Sequence, residues 1–475
     1  MRPSPRRTPA RSPRRRGAGL LALGALLALT AVSCAPTSTP PDVLVLSLDT
    51  VRPDRLGVYG WPRPTSPRLD ALAEGAVVFE QAMAPTSLTA PSHSTLFTGL
   101  QPWRHGTLRN GQPLAATVPV LAEVFAAAGW RTAAFVSGFP MTRDLSGLER
   151  GFGHYDDAIE HLRRPGTETV DAALAWLADN ATGDQDTPRF LFVHLYDAHG
   201  PYEPPAELAA LFESDTRGPW VEHHHQLPQY QRQKDPRTGG IVTDLRFYLD
   251  RYEAAIRHVD TLVDRLLDAV DLEHTIVLVV SDHGETLLER NAPIDHGSRL
   301  FREQLHIVGL LAAPSLEPGR IEPMVGLADF APTLLELVAL DPALLGEPLD
   351  GRSLLPLITG TRDAWRPRHR ATTAANPMTL KHRGYVVESE ELVASIADDG
   401  WKLILYPGVD GEIAELYDLR RDPDEANDLA AEHPEQVERL RALLDPAQRE
   451  AQNSGGAIDP EAAARLRALG YVAGG

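Results

Sequence analysis

The chain has little cysteine and little lysine, which limits its possible disulfides and the source of its positive charge. Because Cys34 is its only cysteine, it can form no intrachain disulfide. Only three of its 46 basic residues are lysines, so arginine supplies most of the positive charge. The formal net charge is −19, and residues 1–33 hold seven arginines and no acid, so the remainder carries −19 − 7 = −26. A body this acidic argues against general binding to nucleic acid, and we expect no such partner.

The N-terminus combines a basic head with a short apolar run. Arg14–Arg16 precede the apolar segment 17–32, which is too short and too one-sided for a comfortable membrane-spanning helix. The small residues just before Cys34 resemble a bacterial lipoprotein signal. We therefore predict a signal peptide over residues 1–33, lipid at Cys34, an extended tether over 34–41, and an exported protein held at a bacterial membrane, in the periplasm or at the cell surface. An uncleaved anchor is the alternative.

Buried strands alternate with helices through most of the chain. Continuous apolar runs predict strands at 43–48, 132–136, 190–195 and 275–280, and amphipathic segments predict helices at 67–76, 118–128, 168–178 and 247–270. This alternation predicts an α/β fold with a mainly parallel central sheet and helices on both faces, in a domain spanning residues 42–362. Strand-like pieces at 384–388 and 401–406 and a charged helix at 434–444 predict a smaller α+β subdomain over residues 363–475.

Polar residues follow three of these strands directly. Asp49 ends the first strand, Asp197 and His199 follow the third, and Asp282 and His283 follow the fourth. Open α/β sheets bind ligands at the carboxyl ends of their strands. Aspartate and histidine side chains around one point indicate a divalent cation. Taken alone, Asp49 could equally be a turn residue.

The segment 89–99 predicts a nucleophile at the start of a helix. Pro91 suits a first helical turn, and Thr89 lies where unpaired N–H groups could hold an anion. An ordinary helix cap is the alternative. A nearby cation would lower the pKa of the Thr89 hydroxyl, and His199 or His296 could protonate a leaving group or bind an anionic ester. The adjacent histidines 223–225 predict a solvent loop, with a metal site as the alternative.

Taken together, these motifs resemble the sulfatase family of the alkaline phosphatase superfamily. The resemblance runs from about residue 42 to the C-terminus and includes the segments 45–50, 89–99, 199–202, 281–285, 296–301, 415–419 and 469–472. It implies that Asp49, Asp282 and His283 bind a metal, that Thr89 is the nucleophile and also a metal ligand, and that His199 and His296 contact the anionic group. We further predict that His93, His105 and Asp197 contact the substrate.

The chain departs from the family pattern at several positions. Thr89 and His93 stand where sulfatases have Cys/Ser-x-Pro-x-Arg, whose first residue matures to formylglycine. Thr50 replaces a second aspartate, Ser298 replaces a lysine, and residues 137–140 replace a Gly-Lys-Trp-His motif. The usual cationic clamp for sulfate is therefore largely missing. A threonine nucleophile resembles the phosphoesterases and phosphotransferases of the superfamily, which often bind two zinc ions.

Three interpretations follow from this pattern. The first is a metal-dependent hydrolase that cleaves a phosphate-type ester through Thr89, the second is a sulfatase proper, and the third is a lipid-anchored binding protein without catalysis. The predicted cofactor is calcium, zinc or manganese at one site. A second site could be formed by Asp197, His199 and His296. The expected partner is an anionic ester, and the sequence names neither that ester nor an oligomeric state.

Overall fold

The computed structural model describes residues 39–180, 187–214, 227–234, 238–287, 289–291, 294–297, 299–361, 365, 368–374, 392–406, 412–444 and 460–468. The predicted signal peptide with Cys34, the histidines 223–225, Ser298 and the expected strand at 384–388 lie outside the described residues. Residues 40–475 form one compact unit. The expected boundary at residue 362 stays a prediction.

The strands of the described chain are β1 (Asp42–Leu48), β2 (Val77–Phe79), β3 (Ala82–Met83), β4 (Arg131–Val136), β5 (His154–Asp156), β6 (Arg189–Leu195), β7 (Thr275–Val280), β8 (His306–Ile307), β9 (Gly309–Ala312), β10 (Gly319–Ile321), β11 (Val325–Gly326), β12 (Arg368–Ala374), β13 (Leu392–Asp398), β14 (Trp401–Tyr406) and β15 (Ile413–Asp418). The α-helices are α1 (Pro67–Ala73), α2 (Thr89–Thr98), α3 (Pro102–His105), α4 (Leu121–Ala127), α5 (Arg143–Ser146), α6 (Gly166–Asp179), α7 (Ala206–Phe212), α8 (Leu245–Leu267), α9 (Arg302–Leu305), α10 (Phe330–Leu337), α11 (Leu355–Ile358), α12 (Pro434–Arg441) and α13 (Pro460–Ala468).

The main sheet has eight strands in the order β10-β2-β9-β7-β1-β6-β4-β5. The strands from β7 to β5 run parallel, whereas β9 is antiparallel to both β7 and β2. The predicted mainly parallel α/β sheet is therefore confirmed. Its central strand β1 lies between β6 and β7, so the carboxyl ends of these three strands meet at one edge of the sheet.

The central strands are mainly apolar because both of their faces are buried. On β1, Val43 and Val45 point into one core, shared with α2, α4 and α10. Leu44 and Leu46 point into the other core, shared with α1, α6 and α8. Since successive side chains of a strand point to opposite faces, a six-residue apolar run requires helices on both sides. The predicted two-sided packing is confirmed.

The C-terminal part forms a separate antiparallel sheet in the order β12-β13-β14-β15, with α12 packed against it. On β14, Leu403 and Leu405 face α12, whereas Ile404 and Tyr406 join the core of the main sheet. The expected smaller α+β region is thus confirmed. Strands β7 and β14 have the predicted bounds, and the helices expected at 67–76, 118–128 and 434–444 are shorter than predicted.

Among the described residues, none of the helices combines the length and the apolar composition that crossing a membrane requires.

Candidate metal centre and active site

Three of the predicted metal ligands meet at the carboxyl edge of the sheet. Asp49 follows β1, and Asp282 and His283 follow the neighbouring strand β7, in a register that pairs Ser47 with Val280. One ligand atom from each residue lies within 4.8 Å of the other two, and all three side chains are buried. No other set of three metal-ligating side chains comes this close together among the described residues.

Each of the three ligands is fixed at one atom and leaves another without a partner. Asp49 Oδ2 accepts a hydrogen bond from His194 Nε2 at 3.1 Å, and Asp282 Oδ1 accepts one from the amide of Thr50 at 3.2 Å. His283 Nδ1 bonds to the carbonyl oxygen of Gly284 at 2.9 Å. The other atom of each ligand is buried and has no hydrogen-bond partner within the described chain: Asp49 Oδ1, Asp282 Oδ2 and His283 Nε2.

Such atoms are costly unless something binds them, and two carboxylate oxygens with one imidazole nitrogen are a donor set that divalent cations accept. The residues therefore fit a metal. The electrostatics agree: burial and the adjacent Asp282 carboxylate raise the pKa of Asp49 well above its usual value. Although burial opposes it, His283 and His93 lower the pKa of Asp282. Without a cation, the two carboxyl groups are not both readily ionised.

The backbone beside the metal ligands is strained. Thr50 has φ 58°, in the left-handed region that a β-branched residue rarely adopts. Tyr252, on α8, holds this turn because its hydroxyl donates to the carbonyl oxygen of Thr50 at 2.7 Å and accepts from the amide of Arg52 at 3.0 Å. This conformation turns the amide of Thr50 towards Asp282.

Thr89 is the first residue of α2, which is buried along its whole length. The amide of Ala90 donates to Asn110 Oδ1 at 2.8 Å, so a side chain from outside the helix satisfies one of its open N–H groups. One turn later, His93 Nδ1 bonds to the carbonyl oxygen of Thr89 at 2.8 Å and lies 3.9 Å from Asp282 Oδ2. His93 therefore places the first turn of α2 beside the metal ligands.

His93 is buried, and both of its ring nitrogens are bonded within the protein. Its Nε2 bonds to Ser47 Oγ at 2.8 Å, and its ring contacts the ring of His194 with centroids 5.0 Å apart. Burial lowers the pKa of His93 and that of His194 to about 4 each, so both are neutral at neutral pH.

His199 and His296 come together next to His283. The ring centroid of His296 is 4.5 Å from that of His283 and 4.9 Å from that of His199. Nδ1 of His296 bonds to Glu285 Oε1 at 3.1 Å, and the hydroxyl of Tyr202 donates to Glu285 Oε2 at 3.1 Å. Burial raises the pKa of Glu285 to about 8 and lowers that of His296. A row of three imidazoles thus extends from the metal ligands.

The structure does not bring Asp197 and His105 into this group. Asp197 Oδ1 accepts a hydrogen bond from the amide of Gly166 at 3.0 Å and lies 3.6 Å from His258 Nε2, so its carboxylate binds the first residue of α6. His105 Nε2 bonds to Thr95 Oγ1 at 3.0 Å, and its Nδ1 accepts from the amide of Thr107 at 3.1 Å. Both ring nitrogens of His105 are used within the protein, behind the second turn of α2.

The comparison with known families decides the assignment. A model described as Sulfatase matches residues 41–340, and one described as N-sulphoglucosamine sulphohydrolase, C-terminal, matches residues 300–450. The chain belongs to the sulfatase family. This family, within the alkaline phosphatase superfamily, is metal-dependent, and the protein is a sulfatase-like ester hydrolase.

Individual relatives of this sulfatase-family protein have low sequence identity to it but align over most of its length. It is 24% identical to arylsulfatase K of Xenopus laevis over 433 residues, which covers 80% of this chain and 78% of the relative. It resembles the crystal structure of a phosphonate monoester hydrolase of Agrobacterium radiobacter, with TM-score 0.69, 22% identity, and coverage of 87% of this chain and 96% of the other. It also resembles a structure solved with its substrate D-glucosamine-2-N,6-O-disulfate, with TM-score 0.71, 18% identity, and coverage of 87% and 99%.

Sequence reasoning missed several residues that support the sulfatase-family site. His194 interrupts the apolar run 190–195 of β6 and pairs in register with Ser47 on β1, and that interruption was the available signal. Glu285 follows the metal ligands by two residues, and its partner His296 was already a candidate. Asn110 lies in a loop, and no sequence pattern identifies it as the acceptor for α2.

Proposed function

We propose that the protein hydrolyses a phosphate-type ester that carries a single negative charge, a phosphodiester or a phosphonate monoester, with Thr89 as the nucleophile. The observation that carries this proposal is a hydroxyl at position 89, at the start of the buried helix α2 beside the metal ligands. Threonine is not a residue that matures to formylglycine, so the hydroxyl itself must attack. The finer choice of phosphate over sulfate rests on this difference.

The charge of the site favours a monoanionic substrate. Two carboxylates, Asp49 and Asp282, balance one divalent cation, and the supporting histidines have lowered pKa values. Nearby arginines are engaged elsewhere: Arg52 donates to the carbonyl oxygen of Glu285 at 2.8 Å, and Arg163 donates to that of Pro201 at 3.0 Å. A dianionic phosphate monoester would bring more negative charge into a buried site than these groups compensate.

In the proposed reaction, Thr89 Oγ1 attacks phosphorus as the bond to the leaving alcohol breaks. The hydroxyl proton is transferred to the departing oxygen, and His296 or His199 is placed to hold it on the way. Water then hydrolyses the phosphothreonine ester and restores the hydroxyl. A divalent cation would be held by Asp49, Asp282 and His283, with Thr89 as the predicted fourth ligand. It would lower the pKa of the Thr89 hydroxyl and offset the charge that develops on the phosphoryl oxygens.

The test compares four nitrophenyl esters with the full chain: a phosphodiester, a phosphonate monoester, a phosphate monoester and a sulfate, each with calcium, manganese or zinc. We expect the first two to be turned over fastest. Thr89→Ala should lose turnover by at least about 10³-fold while the metal still binds, and Thr89→Ser, which keeps a hydroxyl, should retain part of it. Full turnover by Thr89→Ala would contradict the role of Thr89.

A sulfatase proper is the second candidate, because several curated relatives in this family are named arylsulfatases. A sulfate monoester also carries one negative charge, so the charge of the site does not oppose it. Turnover of nitrophenyl sulfate above that of both phosphorus esters would select this candidate. Absence of turnover on all four esters, with metal bound, would instead support the binding-protein interpretation.

We also propose that the protein is exported and anchored to a bacterial membrane by lipid at Cys34. The support is the order of a basic head, an apolar run and a cysteine after small residues. Cys34→Ser should move the protein from the membrane fraction to the soluble fraction and abolish labelling by a radioactive fatty acid. Membrane retention of Cys34→Ser would favour an uncleaved anchor.

A further inference from the structure

One buried carboxylate joins the two histidine segments of the site. Glu285 is completely buried, and its two oxygens have different partners: Oε1 binds Nδ1 of His296, and Oε2 accepts the hydroxyl of Tyr202. Tyr202 is three residues after His199, in the loop that follows β6. The carboxylate therefore connects the loop that carries His296 with the loop that carries His199.

The main chain of Glu285 is fixed as well. Arg52 Nη1 donates to its carbonyl oxygen at 2.8 Å, and Arg52 also forms ion pairs with Asp54 at 2.8 Å and Glu289 at 2.7 Å. Glu285 follows the metal ligand His283 by two residues, so its position is set by the end of β7. A side chain held this firmly can transmit the position of the metal ligands to both histidines.

We infer that Glu285 is a positioning residue that sets the orientation of His296 and its distance from His199 during turnover. The bond between Glu285 and Nδ1 fixes the orientation of the His296 ring and therefore the direction in which its Nε2 points. The hydroxyl of Tyr202 completes the arrangement by holding the His199 loop at the other carboxylate oxygen. This inference rests on the proposed function, since it concerns how His296 and His199 contact the leaving group or the anionic oxygens of the ester.

The chain offers matched controls for both halves of this bridge. Glu415 is also buried and accepts the hydroxyls of Tyr406 and Tyr417 at 3.1 and 2.9 Å, but it belongs to the C-terminal sheet. Tyr155, on the edge strand β5, is a partly buried tyrosine whose hydroxyl donates to the carbonyl oxygen of Met141 at 2.5 Å. Glu415→Gln and Tyr155→Phe therefore make the same chemical changes away from the site.

The kinetic test uses Glu285→Gln and Tyr202→Phe with the phosphodiester that the wild type turns over. We expect Glu285→Gln to lower kcat by about 10- to 100-fold, Tyr202→Phe to lower it less, and both to change KM less than about threefold. The two control variants should stay within about twofold of wild-type kcat. In the His296→Gln background, Glu285→Gln should change kcat by less than about twofold, because its effect passes through His296.

Two kinetic results would overturn the inference: wild-type kcat in Glu285→Gln, or an equal loss from Glu285→Gln with and without His296. A second measurement does not depend on turnover. In nitrogen-15 spectra of the histidine side chains, the signals absent from His296→Gln should shift in Glu285→Gln and stay in place in Glu415→Gln. Unshifted signals would also overturn the inference. A wild type inactive on every ester would contradict the proposed function, and these spectra would still decide the role of Glu285.

Discussion

The metal ligands should reveal themselves through stability as well as activity. We predict that Asp49→Asn abolishes the stabilisation of the protein by its cation but leaves the metal-free protein at least as stable as wild type. Without metal, Asp49 is a buried carboxyl group beside Asp282, and both its burial and their mutual repulsion raise its pKa. Asparagine removes that repulsion and can still accept the hydrogen bond from His194, whose Nε2 lies 3.1 Å from Oδ2.

The size of the effect follows from binding linkage. A cation at 100 times its dissociation constant stabilises the folded state by about 2.7 kcal/mol. With an unfolding entropy of about 2.1 cal/mol/K per residue, a unit the size of residues 40–475 has roughly 0.9 kcal/mol/K in total. The wild-type Tm should therefore rise by about 3 °C when metal is added. The Tm of Asp49→Asn should not respond, and in a chelator it should equal that of wild type or exceed it by about 1 °C.

The assay is thermal unfolding in a chelator and in excess calcium, manganese or zinc. Asp197→Asn is the control, because that carboxylate binds the start of α6 instead of the metal ligands, so its metal response should match wild type. A full metal response in Asp49→Asn, or none in wild type with any of the three cations, would refute the assignment of the centre.

Three further predictions concern residues around the centre and in the core. His194→Gln should weaken metal binding by about 10- to 100-fold in a calorimetric titration, since it removes the imidazole that orients Asp49; unchanged affinity would contradict that role. Thr50→Gly should raise the metal-free free energy of unfolding by up to about 1 kcal/mol in urea, because glycine adopts φ 58° without strain; a clear loss would show that the threonine hydroxyl outweighs the strain. Burial lowers the pKa of His306 to about 3, below the unfolded value near 6.5. The contribution of neutral His306 to stability is therefore complete above pH 6.5, and it falls by about 1.4 kcal/mol per pH unit as the pH drops towards 3. Urea unfolding of His306→Gln should accordingly depend less steeply on pH between 6.5 and 4, and an equally steep dependence would contradict this.

The sequence could predict those parts of the fold and the site that local patterns determine. The apolar run 275–280 has no alternative to a doubly buried strand, and β7 has these bounds. Asp49 and Asp282 were predicted to meet because both end parallel strands, a rule of topology that needs no contact information. These inferences depend on periodicity and chain order alone.

Other contacts could not be predicted because they join residues far apart in the chain. Asp197 and His199 have equivalent positions after β6, yet one binds the start of α6 and the other lies beside His296. His93 was expected to touch substrate, and its position under Thr89 depends on Ser47, 46 residues earlier. The bond between Glu285 and His296 is likewise set by how a loop returns to the sheet. Spacing in the sequence carries no information on such choices.

The energetics of the centre also bear on whether these residues bind a cation. Without a cation, three buried polar atoms of Asp49, Asp282 and His283 have no partner among the residues that the structure describes, at about 1–3 kcal/mol each. The left-handed backbone at Thr50 adds about 1–3 kcal/mol. Together these terms are comparable with the 5–15 kcal/mol by which native proteins are typically stable. A chain with no use for the cation would be more stable with apolar residues here, so the arrangement is best explained by a bound metal. His93, which bonds to the carbonyl oxygen of Thr89 and lies 3.9 Å from Asp282, places the proposed nucleophile beside these ligands.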